Sequence, residues 1–241
     1  MTAQDEGAEG APLTYKYIFT LAKGEKKEFT VRLHPKTLEL LLPPGAPKPE
    51  WTKLSNRKCA NCPLNEEDSP HCPAAVGMTE VVNALGSAVS FDDVHVRVES
   101  NQRDYEKRVP LQKGLSGLIG LIMASSGCPV VGKLRPLIRY HQPFSNLEET
   151  QYRIVSLYLM SQYLLSKKGK TPDWTLQGLG DLYKGIQRVN QDFMKRLLTV
   201  VKGDAGPNAL VILNAFADAV SFTVDGRMLS DLEEMIYPRP E

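Results

Sequence analysis

The N-terminal part of the chain alternates between apolar and polar positions. Tyr15, Tyr17, Phe19 and Leu21 alternate with Lys16, Ile18 and Thr20, Lys23-Gly24-Glu25-Lys26 supplies a turn, and Phe29, Val31 and Leu33 resume the alternation. A period of two puts one residue set on each face of a strand, so this stretch is predicted to be a β-hairpin. A connection rich in proline follows (Pro43, Pro44, Gly45, Pro47, Pro49), which no regular element can hold, and residues 51–54 are expected to return as a short strand. Further on, Val94, Val96 and Val98 alternate with His95 and Arg97, a polar turn occupies 100–104, and 105–109 supplies a partner strand.

From Leu111 the period lengthens to about 3.6 residues. Residues 112–126 read as a helix that stops at Gly127. Ser145 and Asn146 offer capping oxygens with Glu148 and Glu149 following, so a long helix is predicted over 147–166. That helix is apolar on nearly every side (Ile154, Val155, Leu157, Leu159, Met160, Leu164), which predicts a place at the centre of a bundle. Leu179, Leu182, Tyr183, Ile186, Val189, Phe193, Leu197 and Val200 form the single stripe of an amphipathic helix. Another helix is expected over 207–222, with proline in its first turn, and a last short one before Pro238. The expected fold class is α+β: an N-terminal antiparallel sheet with a cysteine-bearing loop, then a C-terminal helical bundle. The corresponding divisions are a disordered tail at 1–12, a β-rich part at 13–110 and a helical part at 111–241.

Bulk composition narrows the function classes. Lys and Arg total 29 against 28 Asp and Glu in 241 residues, and like charges form no long block, so neither nucleic acid nor an anionic membrane is the expected partner. No apolar run approaches the ~20 residues a bilayer requires. The acidic first residues do not resemble a secretory signal, and a cytoplasmic location is expected. Four cysteines in such a compartment stay reduced, which turns attention from disulfides to metal or redox chemistry.

Those cysteines stand in a pattern: Cys59-Ala60-Asn61-Cys62-Pro63-Leu64, then His71-Cys72-Pro73, then Ser126-Gly127-Cys128-Pro129. The C-x-x-C spacing lets one turn present two sulfurs to one metal, and Cys72 and Cys128 would complete the set. Proline after Cys62, Cys72 and Cys128 suits the first position of a helix, so each thiol is a candidate N-cap, where free N–H groups favour a thiolate. One pair plus two single cysteines is not the two-pair layout of zinc modules, and the spacing leans toward a four-iron four-sulfur cluster over zinc. His71 in place of Cys128 would favour zinc. A redox dithiol at Cys59 and Cys62, or buried inert thiols, are the competing readings.

Just after Cys128 comes Lys133-Leu134-Arg135-Pro136-Leu137-Ile138-Arg139-Tyr140-His141. Arg135, Arg139 and His141 are candidates for cofactor binding: the guanidinium groups can balance an anionic metal centre or hold a small anionic ligand. The bland reading is a solvated basic loop. No hydrolase, P-loop, Rossmann or di-iron pattern occurs, so whether the chain is an enzyme stays open, with a zinc-stapled module that binds a protein partner as the alternative to redox or sensing.

The Cys-x-x-Cys-Pro-Leu run, the His-Cys-Pro step and the Ser-Gly-Cys-Pro segment leading into Leu134-Arg135-Pro136 resemble an uncharacterised bacterial protein family over most of the chain after Leu13. The resemblance implies a bacterial origin and a joint role for all four cysteines, and it supplies no mechanism.

Overall fold

The computed structural model describes residues 10–22, 24–223, 230, 233, 234, 236 and 237, with the backbone alone at 221–223. Of the expected last helix, positions 230, 233, 234 and 236 are described and are helical, with Tyr237 N–H donating to Glu233 O at 2.8 Å; most of the expected N-terminal tail lies outside the described residues.

Strands β1 (Leu13–Thr20), β2 (Lys26–Leu33), β3 (Asp93–Ser100) and β4 (Asp104–Pro110) form one antiparallel sheet in the order β2-β1-β3-β4. Tyr17 faces Phe29 on one side and Val98 on the other, and Phe19 faces Val96, so the apolar sets of both hairpins share one face. Tyr17, Phe19, Leu33, Val96 and Val98 are fully buried on it. Between β2 and β3 run a 3-10 turn (Glu50–Thr52) and helices α1 (Pro73–Gly77) and α2 (Thr79–Leu85). The short strand expected at 51–54 is reduced to the 3-10 turn and a single bridge, Lys53 with His71. Prolines at 49 and 70 flank that pairing and limit its length.

Helix α3 (Leu111–Ser125) starts directly after β4 and lies on the buried face of the sheet. Its glycines set the approach. A Cβ on Gly114 would stand 2.9 Å from Phe19 Cε1 and from Val96 Cγ2, and one on Gly117 3.1 Å from the Tyr17 hydroxyl. After a 3-10 turn (Val131–Leu134) come α4 (Arg135–Ile138), α5 (Leu147–Lys167), α6 (Gln177–Leu197) and α7 (Ala205–Thr223). α7 packs on α3, and α6 on α7. The main core therefore joins the sheet, α1 to α3, α6 and α7, while a second apolar cluster ties α5 to α6 and α7 through Ile154, Val155, Leu179, Ile186 and Ala217.

The start of α5 is as expected: the Asn146 side chain accepts from Glu149 N–H at 2.8 Å and the Glu149 carboxylate accepts from Asn146 N–H at 2.8 Å, a capping box. Its position is not. α5 buries only Ile154, Val155 and Gln162, and Met160, Tyr163 and Leu164 are half exposed. The centre belongs to α3, because a helix with glycine at 114, 117 and 120 can lie close to neighbours on both sides, whereas the tyrosines and methionine of α5 hold it further off. No described helix is long and apolar enough to cross a membrane.

Candidate metal centre

Three loops carry the four cysteines, and α6 is where they meet. Cys59 and Cys62 close a tight turn, with Cys62 N–H donating to Cys59 O at 3.0 Å. Two bonds hold the turn on α6: Ala60 N–H donates to Asp192 Oδ2 at 3.0 Å, and Asn61 Nδ2 donates to Gly185 O at 2.9 Å. Burial works to raise the Asp192 carboxyl, but the Ala60 N–H and the Lys195 ammonium outweigh it and hold it below its ordinary value. A Cβ on Gly185 would lie 3.7 Å from both Asn61 Nδ2 and Val130 Cγ1, so the Cys128 loop arrives at the same place on the helix.

Cys72 is the N-cap of α1 with Pro73 at the first helical position, and its own N–H donates to Thr52 O at 2.7 Å. Gly127, in the left-handed region at φ +93°, brings the segment before Cys128 within 3.9 Å of Pro73, measured from a Cβ built on the glycine. The glycine is required there, since a side chain in that conformation is strained. The four thiols are free and partly buried, and Cys59, Cys72 and Cys128 pack against the main core.

Burial pushes Cys59 up to about 12, and the charges of Cys72, Asp192, Cys128 and Cys62 add to the rise. Cys72 is also raised by burial, while the Ala75 N–H, the Arg196 guanidinium and the Ala74 N–H counter it. The two amides face the sulfur without closing to a full cap hydrogen bond. Among the described residues, no three His, Cys, Asp or Glu side chains are gathered tightly enough to share a single metal ion. His71 is engaged through Nδ1 with the Thr52 hydroxyl at 2.7 Å.

One expectation about the surroundings needs correcting. Cys72 caps a helix, but Cys62 and Cys128 do not. After Cys62 the Asn65 side chain accepts from Asp68 N–H at 2.8 Å, a local turn that competes with helix formation, and after Cys128 a 3-10 turn starts only at Val131. Arg135, Arg139 and His141 of the basic strip have partners within the protein. Arg135 pairs with Glu39 at 3.0 Å, Arg139 donates to Pro35 O at 2.8 Å, and the His141 ring packs against Tyr15 and bonds the Tyr17 hydroxyl.

The cation beside the cysteines is Arg196, on α6. It is 1% exposed, donates from Nη1 to Trp51 O at 2.9 Å and Lys53 O at 2.7 Å and from Nη2 to Leu54 O at 3.3 Å, and its Nε has no partner. It makes no ion pair with a described residue. The signal for it lay in the stripe of α6: Val189, Phe193 and Val200 set an apolar period whose intervening position, 196, is an arginine.

Comparison with known proteins returns no curated protein and no solved structure that matches. Residues 13–237 match a domain of unknown function, DUF6901, and the chain belongs to that family.

Proposed function

We propose that Cys59, Cys62, Cys72 and Cys128 together hold one metal centre, a four-iron four-sulfur cluster rather than zinc, and that the protein serves redox or sensing chemistry in the cytoplasm. The observation that carries the reading is Arg196: a guanidinium 1% exposed, bonded only to carbonyls, whose charge acts on Cys72. Burying a cation without an anion is costly. Four thiolates around a metal centre carry a net charge of about −2, which supplies the missing anion. The spacing of one cysteine pair and two single cysteines favours the cluster. In a tetrahedral zinc site the sulfurs lie about 3.8 Å apart, and cluster ligands stand wider. A cytoplasmic location fits thiols that must stay reduced.

The test is purification of the full chain without oxygen, followed by iron, sulfide and zinc analysis and a visible spectrum. The reading expects a brown protein with about four irons per chain, and loss of the colour in Cys59→Ser, Cys72→Ser and Cys128→Ser. A colourless protein with one zinc would replace it with a zinc-stapled interaction module, and one with no metal would end both readings.

A further inference from the structure

A cavity of about 190 Å³ lies between α3, the Val131–Leu134 turn and helices α5 to α7. Its wall is mostly apolar, with Leu121, Leu134, Ile138, Ile154, Ile186 and Phe216 supplying much of it. Ser116, Gln142, Ser145 and Thr150 on its wall are hydrogen-bonded within the protein, whereas the side chains of Tyr183 and Asn190 are not bonded to a described residue. Tyr183 is 3% exposed, and its hydroxyl is buried with no hydrogen-bond partner. Asn190 is 4% exposed, and its side chain makes no hydrogen bond to a described residue. Arg153 donates through Nη2 to Leu137 O at 3.2 Å and Tyr140 O at 2.8 Å, and it makes no ion pair with a described residue. Lys113 adds a second cation to the wall. His141, the remaining titratable group there, is held neutral by burial and by Arg153.

A buried hydroxyl without an acceptor is unfavourable, and a ligand oxygen that satisfies it can also pair with the half-buried Arg153 guanidinium. A carboxylate accepts from the phenol and pairs with the guanidinium. Both side chains line the same cavity. The remaining wall is mostly apolar, and its serines, threonine and glutamine already have partners, which suits a hydrocarbon body. An apolar cavity of ~150 Å³ accepts benzene, so this volume takes a body of roughly six to eight carbons.

We infer that the cavity binds a small apolar monocarboxylic acid, with its carboxylate at Arg153 and the Tyr183 hydroxyl and its hydrocarbon between α3, α6 and α7. The inference is independent of the metal centre, whose residues do not line the cavity.

Calorimetric titration of the full chain with octanoate, octanol and octylamine tests it. Octanoate is expected to bind at one site and to raise the unfolding temperature, with octanol and octylamine each at least about tenfold weaker, the value of one charge-assisted hydrogen bond. Tyr183→Phe removes only the hydroxyl. It should weaken octanoate about tenfold while leaving octanol unchanged. Ala217→Leu, which fills the cavity from α7, should weaken all three ligands without lowering the unfolding temperature of the free protein. Octanoate that fails to bind the wild type, binds no better than octanol, or is indifferent to Tyr183→Phe overturns the inference.

Discussion

Lowering the pH from 7 to 5 should destabilise this protein through one side chain, His141. Its ring lies against Tyr15 at a centroid distance of 5.2 Å and Tyr17 at 6.1 Å, bonds the Tyr17 hydroxyl, and shares the cavity with Arg153 and Lys113. Burial first, and the Arg153 charge second, push its pKa down from 6.5 to about 3. The unfolded chain therefore takes up this proton before the folded one does. Stability is complete above the unfolded value of 6.5, falls as the pH drops below it, and levels off near 3. Linkage sets the slope at about 1.4 kcal/mol per pH unit, so the loss at pH 5 is about 2 kcal/mol, reduced to the extent that water in the cavity solvates the ring. Urea denaturation of the wild type and of His141→Gln at both pH values measures it. The glutamine keeps a polar contact for Tyr17 and has no proton to gain, so its midpoint should move much less. Equal movement in the two proteins would refute the assignment to His141.

The other expectations concern the cysteine loops and the core. Arg196→Met leaves the carbonyls of Trp51 and Leu54 unpaired at ~1–3 kcal/mol each, while Lys53 O keeps the Asn56 N–H, and the charge no longer buried offsets part of the cost; a net loss of about 2 kcal/mol is expected in a denaturant titration. The same variant should retain less metal than Arg135→Ala, whose partner Glu39 is exposed and whose ion pair contributes ~1 kcal/mol at most; equal retention would detach Arg196 from the centre. Gly185→Leu places a side chain where Asn61 and Val130 both approach, so metal content by elemental analysis should fall while octanoate binding persists. Gly114→Ala brings a methyl to 2.9 Å from Phe19 and Val96, and the overpacking, about 1–3 kcal/mol, should exceed the ~1 kcal/mol gained in helix propensity. A neutral or higher urea midpoint would show that α3 can retreat from the sheet.

Local physics made most of the elements legible. Both hairpins follow from alternation, and the stop of α3 from Gly127 and the start of α5 from Asn146 and Glu149 are properties of short segments. The pairing of β1 with β3 joins residues about 80 positions apart, and nothing in either strand names its partner. Placing α5 at the centre failed because hydrophobicity records how much surface a helix can bury. Which helix lies innermost depends on how closely it can approach, and here that depends on the glycines of α3. The cysteine spacing was local and readable. The anchors of its turn, Gly185 and Asp192, and its cation, Arg196, all lie more than 120 residues downstream.

Helix α6 carries two kinds of polar residue, and their angular positions separate them. At about 100° per residue, Tyr183, Ile186 and Asn190, which line the cavity, point on average about 130° away from Gly185, Asp192 and Arg196, which receive the cysteine loops. Asp192 and Arg196 are one turn apart, a spacing at which acid and base commonly pair. They do not pair here: Asp192 takes the Ala60 N–H and the Lys195 ammonium at 2.9 Å, while Arg196 turns inward to the carbonyls of 51, 53 and 54. Had the two formed an ion pair, the guanidinium would already be neutralised and the thiols would face no cation. Keeping them apart leaves one buried positive charge on the side of α6 that receives the cysteine loops, and a neighbouring lysine at the surface satisfies the acid that would have cancelled it.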